Sequence, residues 1–128
     1  MKDLLYLLFI TFTITSCHGQ QKKGVELVSP AAFQKEMAAN KGQVIDVRTP
    51  KEYQSGHIAG AVNMHVYDAD FSKRIDSLDK NKTVYVYCKA GGRSAEAVEQ
   101  IKAKGFVHIV ELDGGMDAWN EAGKPVKR

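Results

Sequence analysis

The sequence predicts an α/β fold, a three-layer sandwich with a largely parallel five-stranded central sheet and helices on both faces. Two observations carry this. Strand-like and helix-like segments alternate along the chain, the pattern of a parallel sheet with crossover helices. Its 128 residues, 44% hydrophobic and 26% charged, suit one globular domain with a core of its own. No internal repeat and no low-complexity tract interrupts the pattern.

Val25 to Val28 is a short strand pattern. Ser29-Pro30 then signals a helix start, with serine as the cap and proline in the first turn. Phe33 and Met37 share a face, so this helix runs to about Ala39, and Asn40-Lys41-Gly42 stops it. Val44 to Val47 is the second strand. Thr49-Pro50 breaks it before a helical turn over Lys51 to Ser55. Ala61 to Met64 is a weak third strand. Phe71, Ile75 and Leu78 recur at helical spacing and predict a helix from Asp70 to Leu78. Thr83 to Tyr87 is the clearest strand, every residue being β-branched or aromatic. Ala95, Val98 and Ile101 mark the next helix, which Gly105 ends. Phe106 to Val110 is predicted as the last strand, and Met116 to Asn120 as a terminal helical turn.

The start of the chain has a different character. After Met1-Lys2-Asp3, the apolar run Leu4 to Ile14 is shorter than the roughly 20 residues that span a bilayer, but long enough for the core of an export signal. Ile14-Thr15-Ser16-Cys17 follows and resembles the lipobox of bacterial lipoproteins. That resemblance implies a signal peptide over residues 1–16, a lipid on Cys17, a tether over 17–24 and a folded domain over 25–128, held at a membrane of the cell envelope and facing the periplasm. A plain cleaved signal or an uncleaved anchor are the alternatives. With Cys17 lipidated, Cys88 is left as a free thiol.

The net charge of +3 is mild, and the basic residues are interleaved with acids. This fits small anionic substrates and gives no basic stripe for nucleic acid. His18, His65 and His108 show no ligand spacing, so no metal site is read.

The chemistry concentrates where the clearest strand ends. In a parallel sheet, ligands bind beyond the carboxyl ends of the strands. Cys88 stands there, followed by Lys89, Ala90, Gly91, Gly92, Arg93 and Ser94 at the start of a helix. Two glycines let the backbone turn tightly, so that N–H groups can converge on an anion. The helix start adds unpaired donors and a partial positive charge. Lys89 and Arg93 supply full charges. Such surroundings favour a thiolate, the reactive form of cysteine. Asp46 and Arg48 flank the same sheet edge. They are read as supports of the loop, with Arg48 pairing with Glu52 and Asp46 capping backbone or receiving loop amides. His57 is read as a turn residue, Trp119 and Met116 as core beside the loop, and Tyr85 and Tyr87 as packing residues.

Tyr87 to Ser94 resembles the active-site loop of the rhodanese family. Three further stretches agree in order and spacing: Asp46-Val47-Arg48 with Glu52-Tyr53, Gly56 to Asn63, and Gly114 to Trp119. The resemblance implies a sulfurtransferase. Cys88 would attack a sulfane sulfur donor such as thiosulfate, hold the sulfur as a persulfide, and pass it to a thiol or cyanide. It implies that the amides of Lys89 to Ser94 cradle the anion and that no metal or organic cofactor is needed. The sequence indicates no oligomer, so a monomer is expected. A non-catalytic persulfide carrier or redox-sensing module on the envelope is the alternative. Phosphatases of the related fold have a loop one residue longer than the Cys88–Arg93 span, which sets phosphoryl chemistry aside.

Overall fold

A computed structural model describes residues 24–128. The export segment, Cys17 and the tether to residue 23 lie outside the described residues. Among those described, no helix is long and apolar enough to cross a membrane.

Five strands form one sheet: β1 (Val25–Val28), β2 (Gln43–Asp46), β3 (Val62–Asn63), β4 (Val84–Tyr87) and β5 (Ile109–Leu112). Their spatial order is β1-β5-β4-β2-β3, and every pairing is parallel. The helices are α1 (Pro30–Ala39), α2 (Pro50–Ser55), α3 (Phe71–Ile75), α4 (Gly92–Ala103) and α5 (Gly115–Glu121). The predicted sandwich is thus observed, and its sheet is wholly parallel.

Strand alternation divides the core in two. Val84 and Val86 of β4 point with Ile45 and Ile109 toward α3 and α4, where Phe71, Ile75, Ala97, Val98 and Ile101 meet them. Tyr85 and Tyr87 point the other way with Val110 and Leu112, toward Phe33 of α1 and Met116 and Trp119 of α5. All four residues of β4 are buried, as expected of the central strand of a covered parallel sheet. The Trp119 ring packs edge-on to Phe33, and its indole N–H donates to the Pro125 carbonyl at 2.9 Å.

The local signals account for the helix starts. The Ser29 side chain accepts from the Ala32 N–H. Thr49 and Glu52 form a reciprocal capping box at the head of α2.

β2 lies one residue earlier than expected, at Gln43–Asp46, and β5 runs on to Leu112; three further differences have a clear physical reason. The last strand begins at Ile109 rather than Phe106, because its register is set by pairing with β1, where Val25 faces Ile109. Phe106 is instead buried among the residues under α4, and Val107 is exposed. The helix over Asp70–Leu78 is a single turn and a half, Phe71–Ile75, with Leu78 packed at the core margin. The third strand shortens to Val62–Asn63, at the edge of the sheet.

Candidate active site

Cys88 follows β4 directly, and its alternation places the side chain on the α4 face with Val86. The residue is only 1% exposed, so its sulfur sits beneath the loop that follows. That loop folds back onto it. Gly91, at φ +124°, turns its N–H to the sulfur at 3.0 Å. The positive φ is one that glycine adopts at little cost and other residues resist. Gly92, Arg93 and Ser94 then open α4, where first-turn N–H groups lack acceptors within the helix. Lys89 and Ala90 are exposed at the outer side of the turn.

The loop is clamped from the α5 side. The Cys88 carbonyl accepts from the Met116 N–H at 2.8 Å, and the Lys89 carbonyl from the Asp117 N–H at 3.0 Å. Gly115, at φ +56°, lies so close that a Cβ there would collide with both carbonyls. Gly115 is therefore needed for close approach of two backbones, whereas a Cβ at Gly114 would meet the Ala118 side chain.

Both loop cations are matched by carboxylates. Arg93 makes a bidentate pair with Glu52, at 2.7 and 2.9 Å. Hydrogen bonding from Arg93 is the main reason the Glu52 carboxyl is held down at about 2, against burial that works to raise it. The same pair raises Arg93 above its ordinary range. Lys89 pairs with Asp117 at 2.9 Å, both side chains being more than half exposed. The positive charges predicted to face an incoming anion are thus engaged in the resting site.

Asp46 and Arg48 are placed differently from expectation. Arg48 pairs with Asp46, not Glu52, through contacts of 2.6 to 3.1 Å, and it also donates to the Gly56 carbonyl at 2.7 Å. Asp46 does cap backbone, accepting the Arg48 N–H at 3.0 Å, but its carboxylate takes Arg48 in place of the loop amides. Both residues are buried. Burial opposes the charge of Arg48, and the hydrogen bonds and charge of Asp46 outweigh it, so its pKa is raised. The guanidinium lies 5.7 Å from the centroid of the Tyr87 ring. The pair thereby braces the residue before Cys88 and stays out of the site mouth. Tyr87 also accepts the Ile58 N–H at 3.0 Å, and burial pushes its phenol up. His57 stacks on Tyr53, and its ring nitrogen meets the Tyr53 carbonyl at 2.9 Å, a turn role as predicted.

Two residues at the site, Glu111 and Tyr67, were not singled out in the sequence. Ser94 Oγ lies 3.5 Å from the Cys88 sulfur and 2.7 Å from a carboxylate oxygen of Glu111, which is buried on β5. Tyr67 is 62% exposed, and the nearby Glu96 carboxylate of α4 raises its phenol above the ordinary range. The signal for Glu111 is a charged residue inside the apolar strand Ile109-Val110-Glu111-Leu112, which calls for a buried partner. Tyr67 carries no comparable signal.

Comparison with known proteins agrees with the fold described above. A family model described as a rhodanese-like domain matches residues 29–122. An uncharacterized protein of Bacillus subtilis, YqhL, is 31% identical over 118 residues, covering 91% of this chain and 88% of its own. A thiosulfate sulfurtransferase of Escherichia coli, PspE, is 42% identical over 73 residues, covering 57% of this chain and 70% of its own. The crystal structure of a rhodanese-related protein from Thermoplasma volcanium superposes with a TM-score of 0.71 at 32% identity, covering 80% of this chain and 97% of that one.

Proposed function

This chain belongs to the rhodanese-like domain family, and on that premise we propose that it is a sulfurtransferase that carries sulfane sulfur as a persulfide on Cys88. The observation that carries the reading is the Gly91 N–H aimed at the sulfur at 3.0 Å. A donor there favours negative charge on that atom, first as thiolate and then as the persulfide anion.

In the first half-reaction the Cys88 thiolate attacks the outer sulfur of thiosulfate. The new S–S bond forms as the old one breaks, and sulfite leaves with the electron pair. In the second, a thiol or cyanide takes the outer sulfur and the Cys88 thiolate is restored. The first-turn amides of α4, from Gly92 to Ser94, hold the anionic group during both steps. Lys89 and Arg93 contribute charge once their carboxylate partners yield to the donor.

The test is to incubate the full chain with thiosulfate and then cyanide. Repeated thiocyanate release supports the enzyme, one equivalent per chain marks a sulfur carrier, and no sulfur on Cys88 refutes both. The stretch Ile14 to Cys17 further supports a lipid on Cys17 and a place at the cell envelope. Incorporation of labelled fatty acid in a bacterial host, lost in Cys17→Ser, tests that placement.

A further inference from the structure

Ser94 has one hydroxyl hydrogen and two nearby acceptors, Glu111 Oε2 at 2.7 Å and the Gly91 carbonyl at 3.1 Å. The shorter, charge-assisted bond claims it. The oxygen lone pairs of Ser94 are then free to accept from the Cys88 S–H, 3.5 Å away. Strand alternation produces this line of three. Cys88 lies two residues beyond Val86, Val86 is in register with Glu111, and both Cys88 and Glu111 point to the α4 face that carries Ser94. Cys88, Ser94 and Glu111 are all buried.

We infer that Glu111 stores the Cys88 proton, delivered through Ser94. The S–H bond breaks and its proton passes to Ser94 Oγ, as the Ser94 hydrogen passes to Glu111 Oε2. The sulfur keeps the electron pair, the carboxylate becomes a carboxylic acid, and the total charge of the trio is unchanged. The hydrogen bond also reverses direction. Ser94 then donates to the thiolate from one side while the Gly91 N–H donates from the other. An interior site prefers one buried negative charge to two, and the relay ionises the sulfur within that limit. Arg93 of α4 and Tyr67 from the segment after β3 face the sulfur electrostatically, but Arg93 is paired with Glu52, and Tyr67 is exposed with the Glu96 carboxylate nearby. Lys89 is held by Asp117 and Arg48 by Asp46. Glu111 acts through Ser94 and is therefore a positioning residue.

The inference rests on Cys88 being the sulfur acceptor and adds how that sulfur is ionised. Its test uses two readouts on the full chain at neutral pH. One is the ultraviolet thiolate absorbance, taken as a difference from Cys88→Ser. The other is the rate of sulfur loading from thiosulfate. Glu111→Gln keeps an acceptor for Ser94 but cannot take a proton, so a purely structural role would survive it. The relay predicts that Glu111→Gln loses most of the thiolate signal and loads about a hundredfold more slowly. Ser94→Ala, which leaves the carboxylate in place, should behave the same and serves if the glutamine variant fails to fold. Unchanged thiolate signal and loading in either folded variant overturns the relay and leaves the sulfurtransferase reading intact. A normal thiolate signal with no sulfur uptake by the parent chain overturns the sulfurtransferase reading instead.

Discussion

Arg93 gives both terminal nitrogens to the Glu52 carboxylate, joining the active-site loop to the helix that follows β2. Because Glu52 is also fixed by its capping box with Thr49, the guanidinium is held by a preorganised partner. An anionic donor must therefore compete with a carboxylate for Arg93. Replacing Glu52 by glutamine retains the capping geometry but removes the competing charge. The expected result is a KM for thiosulfate lower by about threefold to tenfold, of order 1 kcal/mol, measured by steady-state thiocyanate production at low ionic strength.

The same pair makes a pH prediction. Glu52 is held at about 2 in the folded chain, below its ordinary value. A depressed carboxyl contributes stability that is fully present above its unfolded value and is lost as pH falls through the folded one. The stability difference between the parent chain and Glu52→Gln should therefore be about 1–2 kcal/mol at neutral pH, given the partial solvent contact of the pair. It should shrink below about pH 4.5 and be lost as pH falls through and below about 2. Urea unfolding across that range checks it.

Gly115→Ala is expected to destabilise the fold by about 2–4 kcal/mol, combining a left-handed φ with overpacking against the Cys88 and Lys89 carbonyls. It should also push the loop away from α5 and depress sulfur loading in the molecules that remain folded. Gly92→Ala is the control. A Cβ there meets nothing within 4 Å, and the backbone is not in the positive-φ region. Thermal unfolding should show it neutral or stabilised by up to about 1 kcal/mol.

Arg48→Ala leaves Asp46 buried without its ion-pair partner, and Asp46 is 0% exposed. A loss of about 3–5 kcal/mol is expected, read as a lower urea midpoint with an unchanged slope. A variant that unfolds at the parental midpoint would show that water reaches Asp46 and that the pair does not brace Tyr87.

What could be read in the sequence was what lies close together along it. Thr83 to Tyr87 announces a buried strand because every side chain is β-branched or aromatic, and the glycines and serine that follow Cys88 announce a tight turn into a helix. The pairings across the fold could not be read that way. Arg93 and Glu52 stand 41 residues apart, and Ser94 and Glu111 stand 17 apart. Arg48 lies near two carboxylates in sequence. The extended backbone at the end of β2 brings Asp46 to it, while the loop arginine takes Glu52. Phe106 and Val107 look like strand by composition, but pairing with β1 decides where β5 begins, and that register is a property of two segments together.

The central claim is that Cys88 itself takes up the sulfur. Intact-mass analysis of the full chain after exposure to thiosulfate tests it most directly. The account predicts a gain of one sulfur atom, removed by cyanide as thiocyanate and absent in Cys88→Ser, which retains Cys17. A parent chain that gains no sulfur, or a Cys88→Ser chain that gains it equally, contradicts the account.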